Sequence, residues 1–346
     1  MPVAIEVTDL CKRFTSCRRA PGLRAALRQL FVPQHAEHVA VDGVSFRIER
    51  GERVAFVGPN GAGKSTTIKM LTGILFPTSG QASVHGLVPW RDRRRLAYRI
   101  GTVFGQRSQL WYHLPAADTF ELLGRVYDRD RDAHRTRLRE LVGLFELGSE
   151  LDKPVRELSL GQRMRCEIVA SLLHDPDVVF LDEPTIGLDV TAKAAIRDVL
   201  REQSRREGKT LLFTSHDTGD MESVCDRVII IHHGRVLVDQ SLAELRRAHL
   251  RRKLLTLQTA EVEVEVELAG ARVVSREPHR VKLEVDLDRV PVEQVVQHVM
   301  ARARLHDLTV NDPPMEEVIR ALYGRGRLGA ALEPGSLPPL EARGAA

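Results

Sequence analysis

Nine consecutive residues constrain this chain more than any other stretch: Gly58-Pro59-Asn60-Gly61-Ala62-Gly63-Lys64-Ser65-Thr66. The apolar run Val54-Ala55-Phe56-Val57 precedes them and reads as a buried strand. Thr67-Ile68-Lys69-Met70-Leu71 follows and reads as the opening of a helix. Strand, glycine-rich turn and helix start form the context of a phosphate-binding loop. Glycine lets the backbone curl until its N–H groups face phosphate oxygens. A helix N-terminus adds unpaired donors and the positive end of a dipole. Lys64 can then reach the β- and γ-phosphates of a nucleotide, and the Ser65 hydroxyl can ligate Mg²⁺. The competing explanation is a glycine turn that caps a helix; the G-x4-G-K-[S/T] spacing inside a strand–helix frame argues against it.

A second signal is Val178-Val179-Phe180-Leu181-Asp182-Glu183. Four apolar residues read as a strand buried on both faces. Two carboxylates follow at its carboxyl end, where ligands bind in open α/β sheets. Asp182 can hold Mg²⁺, and Glu183 is placed to polarise a water that attacks a γ-phosphate. Alone, this is an acidic turn after a core strand; beside a phosphate loop it becomes a hydrolytic site. Leu158-Ser159-Leu160-Gly161-Gln162 opens a helix over Arg163–His174 with Ser159 as its natural N-cap. His216 follows the apolar strand Thr210-Leu211-Leu212-Phe213-Thr214-Ser215, again at a strand end.

In their order, these motifs resemble the ATP-binding cassette (ABC) superfamily over residues 3–239. The family order of phosphate loop, glutamine loop, LSGGQ signature, acidic strand end, D-loop and switch histidine is matched by Gly58–Thr66, Gln106, Leu158–Gln162, Asp182-Glu183, Gly187-Leu188-Asp189 and His216. The resemblance implies ATP and Mg²⁺ as ligands. It implies that Gly58, Asn60, Gly61, Ala62, Gly63, Lys64, Ser65 and Thr66 cradle the phosphates and that Phe14 stacks on adenine. Ser65, Gln106 and Asp182 are the implied metal ligands, with Glu183, Gln106 and His216 as catalytic groups. Ser159, Gly161 and Gln162 would hold the γ-phosphate of ATP bound to an opposing subunit, and Asp189 would bridge the two subunits. The chain departs from the pattern in three places. Leu160 occupies a glycine position of the signature, Gly105 lengthens the step from strand to Gln106 so that Gln109 competes for that role, and residues 15–38 separate Phe14 from the phosphate loop.

The implied fold is α/β: a P-loop NTPase core with a mostly parallel sheet, an inserted helical subdomain and an antiparallel β subdomain, followed by a small C-terminal α+β domain. The expected boundaries are 1–240 for the nucleotide-binding domain, with the helical subdomain at about 107–175, then 241–325 for the accessory domain and 326–346 for a disordered tail. Strands are expected at 3–7, 11–14, 39–48, 81–85 and 100–104, a basic insert at 15–38 and a helix at 91–99. In the C-terminal domain Val262, Val264, Val266 and Leu268 alternate with Glu261, Glu263, Glu265 and Glu267, and Val281, Leu283, Val285 and Leu287 alternate with polar residues. Both runs predict half-buried strands. Val292, Val295, Val296, Val299 and Met300 predict one helical stripe.

At 346 residues the chain has room for about two domains. With 43% hydrophobic and 28% charged residues it has the composition of a globular protein. No apolar stretch approaches the roughly 18 residues of a membrane span, and Met1-Pro2-Val3-Ala4-Ile5-Glu6 lacks the design of a signal peptide. A cytosolic protein with reduced thiols at Cys11, Cys17, Cys166 and Cys225 is expected, peripheral on the inner face of the membrane. The net charge of +4 concentrates in Arg18, Arg19, Arg24 and Arg28 and in Arg91, Arg93, Arg94, Arg95 and Arg99. A solvated face accounts for these arginines better than contact with anionic lipid or nucleic acid.

One phosphate loop and one signature per chain imply a second copy as partner, closing as a homodimer on ATP. A transporter built on this chain needs separate transmembrane permease subunits, and Leu110-Trp111-Tyr112-His113-Leu114-Pro115 offers a groove for a permease helix. The insert, the Gly-Gln step, the Leu-Ser-Leu-Gly-Gln signature and the C-terminal domain together resemble a bacterial exporter subgroup that serves drug or polysaccharide efflux permeases. The expected function is the ATP-hydrolysing subunit of such a transporter, with no nucleic acid as partner. The alternative is an ABC-type ATPase acting on DNA or the ribosome.

Overall fold

The structure is a computed structural model that describes residues 2–17, 35–105, 107–215, 217–249, 252–262, 264–312 and 315–326. The chain divides into two compact units between Ser241 and Leu242.

The first unit holds two sheets. Strands β1 (Val3–Cys17), β2 (His35–Glu49) and β4 (Ser79–Val84) form an antiparallel sheet in the order β2-β1-β4. Of the insert expected over 15–38, residues 15–17 lie in β1 and 35–38 in β2, with Thr15 paired to Glu37 and Cys17 to His35. The remaining part of the basic insert, 18–34, lies outside the described residues, as does the tail at 327–346.

The second sheet has six strands in the order β5-β6-β7-β3-β8-β9. They are β3 (Arg53–Val57), β5 (Ile100–Phe104), β6 (Val178–Asp182), β7 (Thr210–Thr214), β8 (Arg227–His232) and β9 (Arg235–Ser241). All pairs are parallel except β8–β9. The four apolar residues of β6, Val178 to Leu181, are each fully buried, as a parallel strand covered on both faces requires. Helix α1 (Lys64–Leu71) leaves the end of β3, and the short α2 (Arg93–Ala97) precedes β5. The sequence predicted a helix over 91–99. It is confined to five residues because Asp92 closes a turn on Val88, accepting its N–H at 3.0 Å, and the chain must enter β5 at Ile100.

Helices α3 (Ala116–Val126), α4 (Arg131–Leu144) and α5 (Leu160–Leu172), with a 3-10 turn at Val155–Glu157, lie between β5 and β6. Helix α6 (Val190–Glu207) joins β6 to β7. It is capped by Asp189 at the start and by Gly208 at φ 63° at the end. Helix α7 (Thr218–Val224) follows β7.

The second unit combines an antiparallel sheet with three helices among the described residues, and the Val292–Met300 helix packs on the sheet. Its elements are α8 (Leu242–His249), β10 (Arg252–Thr259), β11 (Ala271–Glu277), β12 (Arg280–Asp286), α9 (Val292–Met300), β13 (Leu305–Asn311) and α10 (Met315–Gly326), with the sheet order β11-β12-β10-β13. The expected strand at Val281–Leu287 is β12, whose Val281, Leu283 and Val285 are buried. The expected strand at 261–268 is not one. Val264 and Val266 are buried and Glu265 and Glu267 exposed, but the described residues of the segment meet the sheet through a single bridge from Leu268 to Ala271, with the Val262 carbonyl accepting from the His279 N–H at 3.1 Å. Alternation reports which side faces the core; β10, β11, β12 and β13 already supply the sheet. The stripe on α9 buries Val295 and Val299, whereas Met300 at its end is 61% exposed.

Candidate nucleotide site

The glycine-rich loop leaves the carboxyl end of β3, the central strand between β7 and β8. Two of its glycines are required by space. A Cβ on Gly58 would stand 2.4 Å from the Ile231 carbonyl oxygen, and one on Gly63 would stand 2.5 Å from that of Ala40. Gly63 also takes φ 106°, which only glycine adopts freely. It is the N-cap of α1 and supplies no side chain to the helix's first N–H groups, so these donors stay available for an anion. The helix begins at Lys64, three residues earlier than the sequence reading placed its opening.

Lys64 is buried at 5% exposure. Its ammonium donates to the carbonyl of Gly58 at 2.5 Å and to that of Pro59 at 3.3 Å. Burial pulls its pKa below the ordinary lysine range, while the nearby Glu183 and Asp182 carboxylates pull it back up. The turn Ile231–Arg235 props the loop from behind, since Gly234 donates to the Ala62 carbonyl at 2.9 Å and accepts from the Asp42 N–H at 2.8 Å.

A cleft of about 630 Å³ opens over this loop. Asn60, Gly61, Ala62, Gly63, Lys64, Ser65 and Thr66 line it, and Asp182 and Glu183 face it from the end of β6. Phe14 lines it as well, although the rest of β1, residues 18–34, β2 and β3 separate it from the phosphate loop in sequence. It arrives there because β1 pairs with β2, Phe14 opposite His38, and Lys12 stands 5.1 Å from its ring centroid. Phe14 remains 38% exposed.

The carboxylate pair is held from β7. Thr214 Oγ1 donates to Asp182 Oδ1 at 2.7 Å and accepts from the Glu183 N–H at 2.9 Å. Glu183 takes φ 54°, a left-handed conformation unusual for a residue with a side chain. Gly105 must be glycine to let this corner close, because a Cβ there would lie 2.6 Å from the Glu183 carbonyl oxygen. Thr214 and Gly234 carried no signal in the sequence reading. Thr214 reaches Asp182 and Glu183 from the adjacent strand and Gly234 reaches Ala62 and Asp42 from the turn between β8 and β9, contacts that spacing along the chain does not encode.

The donor chemistry of the cleft fits magnesium. The Asp182 carboxylate and the Ser65 hydroxyl are hard oxygen ligands, and Mg²⁺ is held by one or two such groups together with waters and substrate phosphates. Among the described residues no three His, Cys, Asp or Glu side chains cluster as a cage for an ion alone.

The signature residues stand elsewhere. Ser159 caps α5 in a reciprocal box: its hydroxyl accepts from Gln162 N–H at 3.2 Å and its own N–H donates to Gln162 Oε1 at 2.9 Å. The Gln162 amide also donates to Glu150 at 3.0 Å, so its side chain is engaged within the chain. Gly161 lies against Ala192, and Leu160, 38% exposed, packs on Gly187. Ser159, Gly161 and Gln162 are not among the residues lining the cleft over Lys64. Asp189 spends one oxygen on the Ala192 N–H at 2.8 Å and does not line that cleft either.

Gln106 and His216 lie outside the described residues. The competing Gln109 is tied to α5: its side-chain amide donates to the Glu167 carbonyl at 2.9 Å and its N–H to Glu167 Oε2 at 3.1 Å. Ser108 also donates to the Glu167 carboxylate. Burial raises the pKa of Glu167, and these bonds counteract the rise.

Backbone amides and one lysine arranged for an anionic tail, with an Asp-Glu pair at the end of β6, one strand beyond β7 in the same sheet, are the working parts of a P-loop ATPase. The sequence profile described as "ABC transporter" matches residues 41–186. The chain is 36% identical to the ABC transporter ATP-binding protein NatA of Bacillus subtilis (strain 168), over 60% of this chain and 83% of that protein. It is 31% identical to the daunorubicin/doxorubicin resistance ATP-binding protein DrrA of Streptomyces peucetius, over 82% and 88% respectively. A dimeric ATP-binding cassette, solved in a post-hydrolysis state with ADP and phosphate, superposes with a TM-score of 0.58 at 25% identity, over 69% of this chain and 98% of that one. The chain belongs to the ABC transporter family, as an ATP-binding subunit with ATPase activity. Among the described residues no helix is long and apolar enough to cross a membrane.

Proposed function

We infer that two copies of this protein close on ATP and drive a separate permease in export. One observation carries the pairing: within one chain the signature at Ser159 stands away from the cleft that holds Lys64. A signature that cannot serve its own phosphate loop is explained if it serves that of a second copy. Two equivalent sites then form about a two-fold axis.

In this reading Phe14 stacks on adenine, while the loop amides and Lys64 hold the phosphates. Ser65, Asp182 and Gln106 hold magnesium, which when bound neutralises charge on the β- and γ-phosphates. Glu183 accepts the proton of the attacking water, and His216 positions the γ-phosphate. Ser159, Gly161 and Gln162 contact the ATP of the other copy, with Asp189 bridging the pair. The engagement of Gln109 with α5 supports Gln106 as the loop glutamine. The first unit serves as the cassette and the second as an accessory domain that supports the dimer.

An efflux role is supported by the drug-resistance naming of DrrA. Contact with a permease is supported by Trp111, Tyr112 and Leu114, which are 46%, 53% and 40% exposed on the segment after Gln106. Such a subunit works at the inner face of the membrane. The test is the dependence of ATPase rate on protein concentration. Specific activity is expected to rise with concentration and saturate. Full-speed turnover at every dilution by a chain that sediments as a monomer overturns the paired site.

A further inference from the structure

Asp220, on α7, is fully buried and has no contact with the nucleotide cleft. A buried carboxylate is unfavourable unless it is paired and hydrogen-bonded, and this one is bonded to three separate segments. Its Oδ2 accepts from the hydroxyl of Thr185 and, at 2.9 Å, from that of Ser215. Its Oδ1 accepts from the guanidinium of Arg197 on α6. Arg197 reaches Asp217 as well, at 3.5 Å, and Lys193 donates to Asp217 at 2.7 Å.

The position of the two hydroxyls gives the arrangement its meaning. Thr185 is the second residue after Glu183, and Ser215 directly precedes His216. Both are buried, at 2% and 6% exposure. Glu183 holds its left-handed backbone in a tight corner, with its N–H on Thr214 and its carbonyl accepting from the Ile186 N–H at 3.3 Å. Unusual backbone of this kind persists only where the surroundings over-determine it. The Thr185–Asp220 bond clamps the chain just beyond the corner, and the Ser215–Asp220 bond clamps the strand end on the other side.

We propose that Asp220 is a positioning residue for ATP hydrolysis, a buried carboxylate that ties the segment after Glu183 and the segment before His216 to one half-buried anchor, Arg197. The proposal rests on the ATPase reading above. It differs from a plain staple of α6 to α7 in what it predicts. A staple supports stability alone; a positioning residue governs turnover at constant affinity, because small displacements of reacting groups cost rate steeply.

The test uses the full chain with three single variants, Asp220→Asn, Thr185→Val and Ser215→Ala, measuring kcat, KM for ATP and the thermal midpoint. Asp220→Asn and Thr185→Val are expected to lose about tenfold or more in kcat with KM within about twofold of wild type. The double variant Thr185→Val/Asp220→Asn is expected to be no slower than the slower single variant, since both break one linkage. Thr185→Val and Ser215→Ala keep the Arg197–Asp220 pair, so they decide the matter even where Asp220→Asn does not fold. Wild-type kcat in both hydroxyl variants overturns the proposal, whatever happens to the midpoint; so do independent, multiplying losses in the double variant. A wild-type chain that hydrolyses no ATP removes the ATPase reading and this inference together, whereas active wild type beside fully active hydroxyl variants removes this inference alone.

Discussion

Thr214 at the end of β7 grips both the last residue of β6 and the one after it: its hydroxyl donates to Asp182 at 2.7 Å and accepts from the Glu183 N–H at 2.9 Å. One hydroxyl thus sets the spacing between the residue suited to a metal and the residue suited to a water. Because the backbone holds the corner, Glu183→Gln should leave the cleft intact and remove only the proton acceptor. Turnover is expected to fall about a hundredfold or more while ATP binding persists and an ATP-bound dimer accumulates on size-exclusion chromatography. Unchanged turnover would remove Glu183 from the mechanism.

Lys64→Ala tests the phosphate loop. The buried ammonium sits on the carbonyls of Gly58 and Pro59, at the floor of the cleft. Loss of a charge-assisted contact in a buried cleft is expected to weaken ATP binding by about a hundredfold or more. Titration with a fluorescent ATP analogue measures this, and retained affinity contradicts the assignment.

Ser159→Arg tests the division of labour between copies. The substitution removes the N-cap of α5, at a cost of about 1 kcal/mol, and places a long cation where the partner's nucleotide should dock. Affinity for ATP in the isolated chain is expected to stay near wild type while hydrolysis and ATP-dependent dimerisation are lost. Normal hydrolysis would place the signature elsewhere.

His174 predicts a pH dependence of stability. It is buried, stacks on Tyr127 at 3.9 Å and 6°, and has Nε2 2.9 Å from the Ile100 carbonyl, which a neutral ring protonated at Nε2 satisfies as donor. Burial lowers its pKa to about 4 from an ordinary 6.5. The unfolded chain therefore takes up a proton that the folded chain refuses, and stability is lost as pH falls from about 6.5 towards 4. The loss from this group is on the order of 3 kcal/mol. His174→Gln keeps a donor for Ile100 and cannot titrate in this range. Its denaturant midpoint is expected to fall less steeply than that of wild type across the same window; parallel curves would show that the ring is not the source.

Much of the site was legible because its parts are local. The glycines, Lys64 and Ser65 form one uninterrupted run, β6 announces itself as an apolar stretch ending in Asp182-Glu183, and Ser159 precedes Gln162 at capping-box spacing. Their order along the chain, more than any one of them, is the resemblance to the ABC family. The run at 261–268 shows where local reading stops. Its alternation correctly separates buried Val264 and Val266 from exposed Glu265 and Glu267, yet no strand forms, since a ladder needs a partner edge and alternation says nothing about one.

What the sequence determined by itself was therefore the set of candidates: which residue types are suited to bind phosphate, hold a metal and activate water, because residue type and near-neighbour spacing dictate that suitability. Tertiary structure alone decided how they are held. It brought Phe14 to the phosphate loop through the β1–β2 ladder, set Thr214 against Asp182 and Glu183 across parallel strands, and gathered Thr185, Ser215 and Arg197 on Asp220. All of these contacts except Ser215–Asp220 join segments far apart in the chain. Their geometry follows from sheet register and buried packing, which appear only once the whole core has closed.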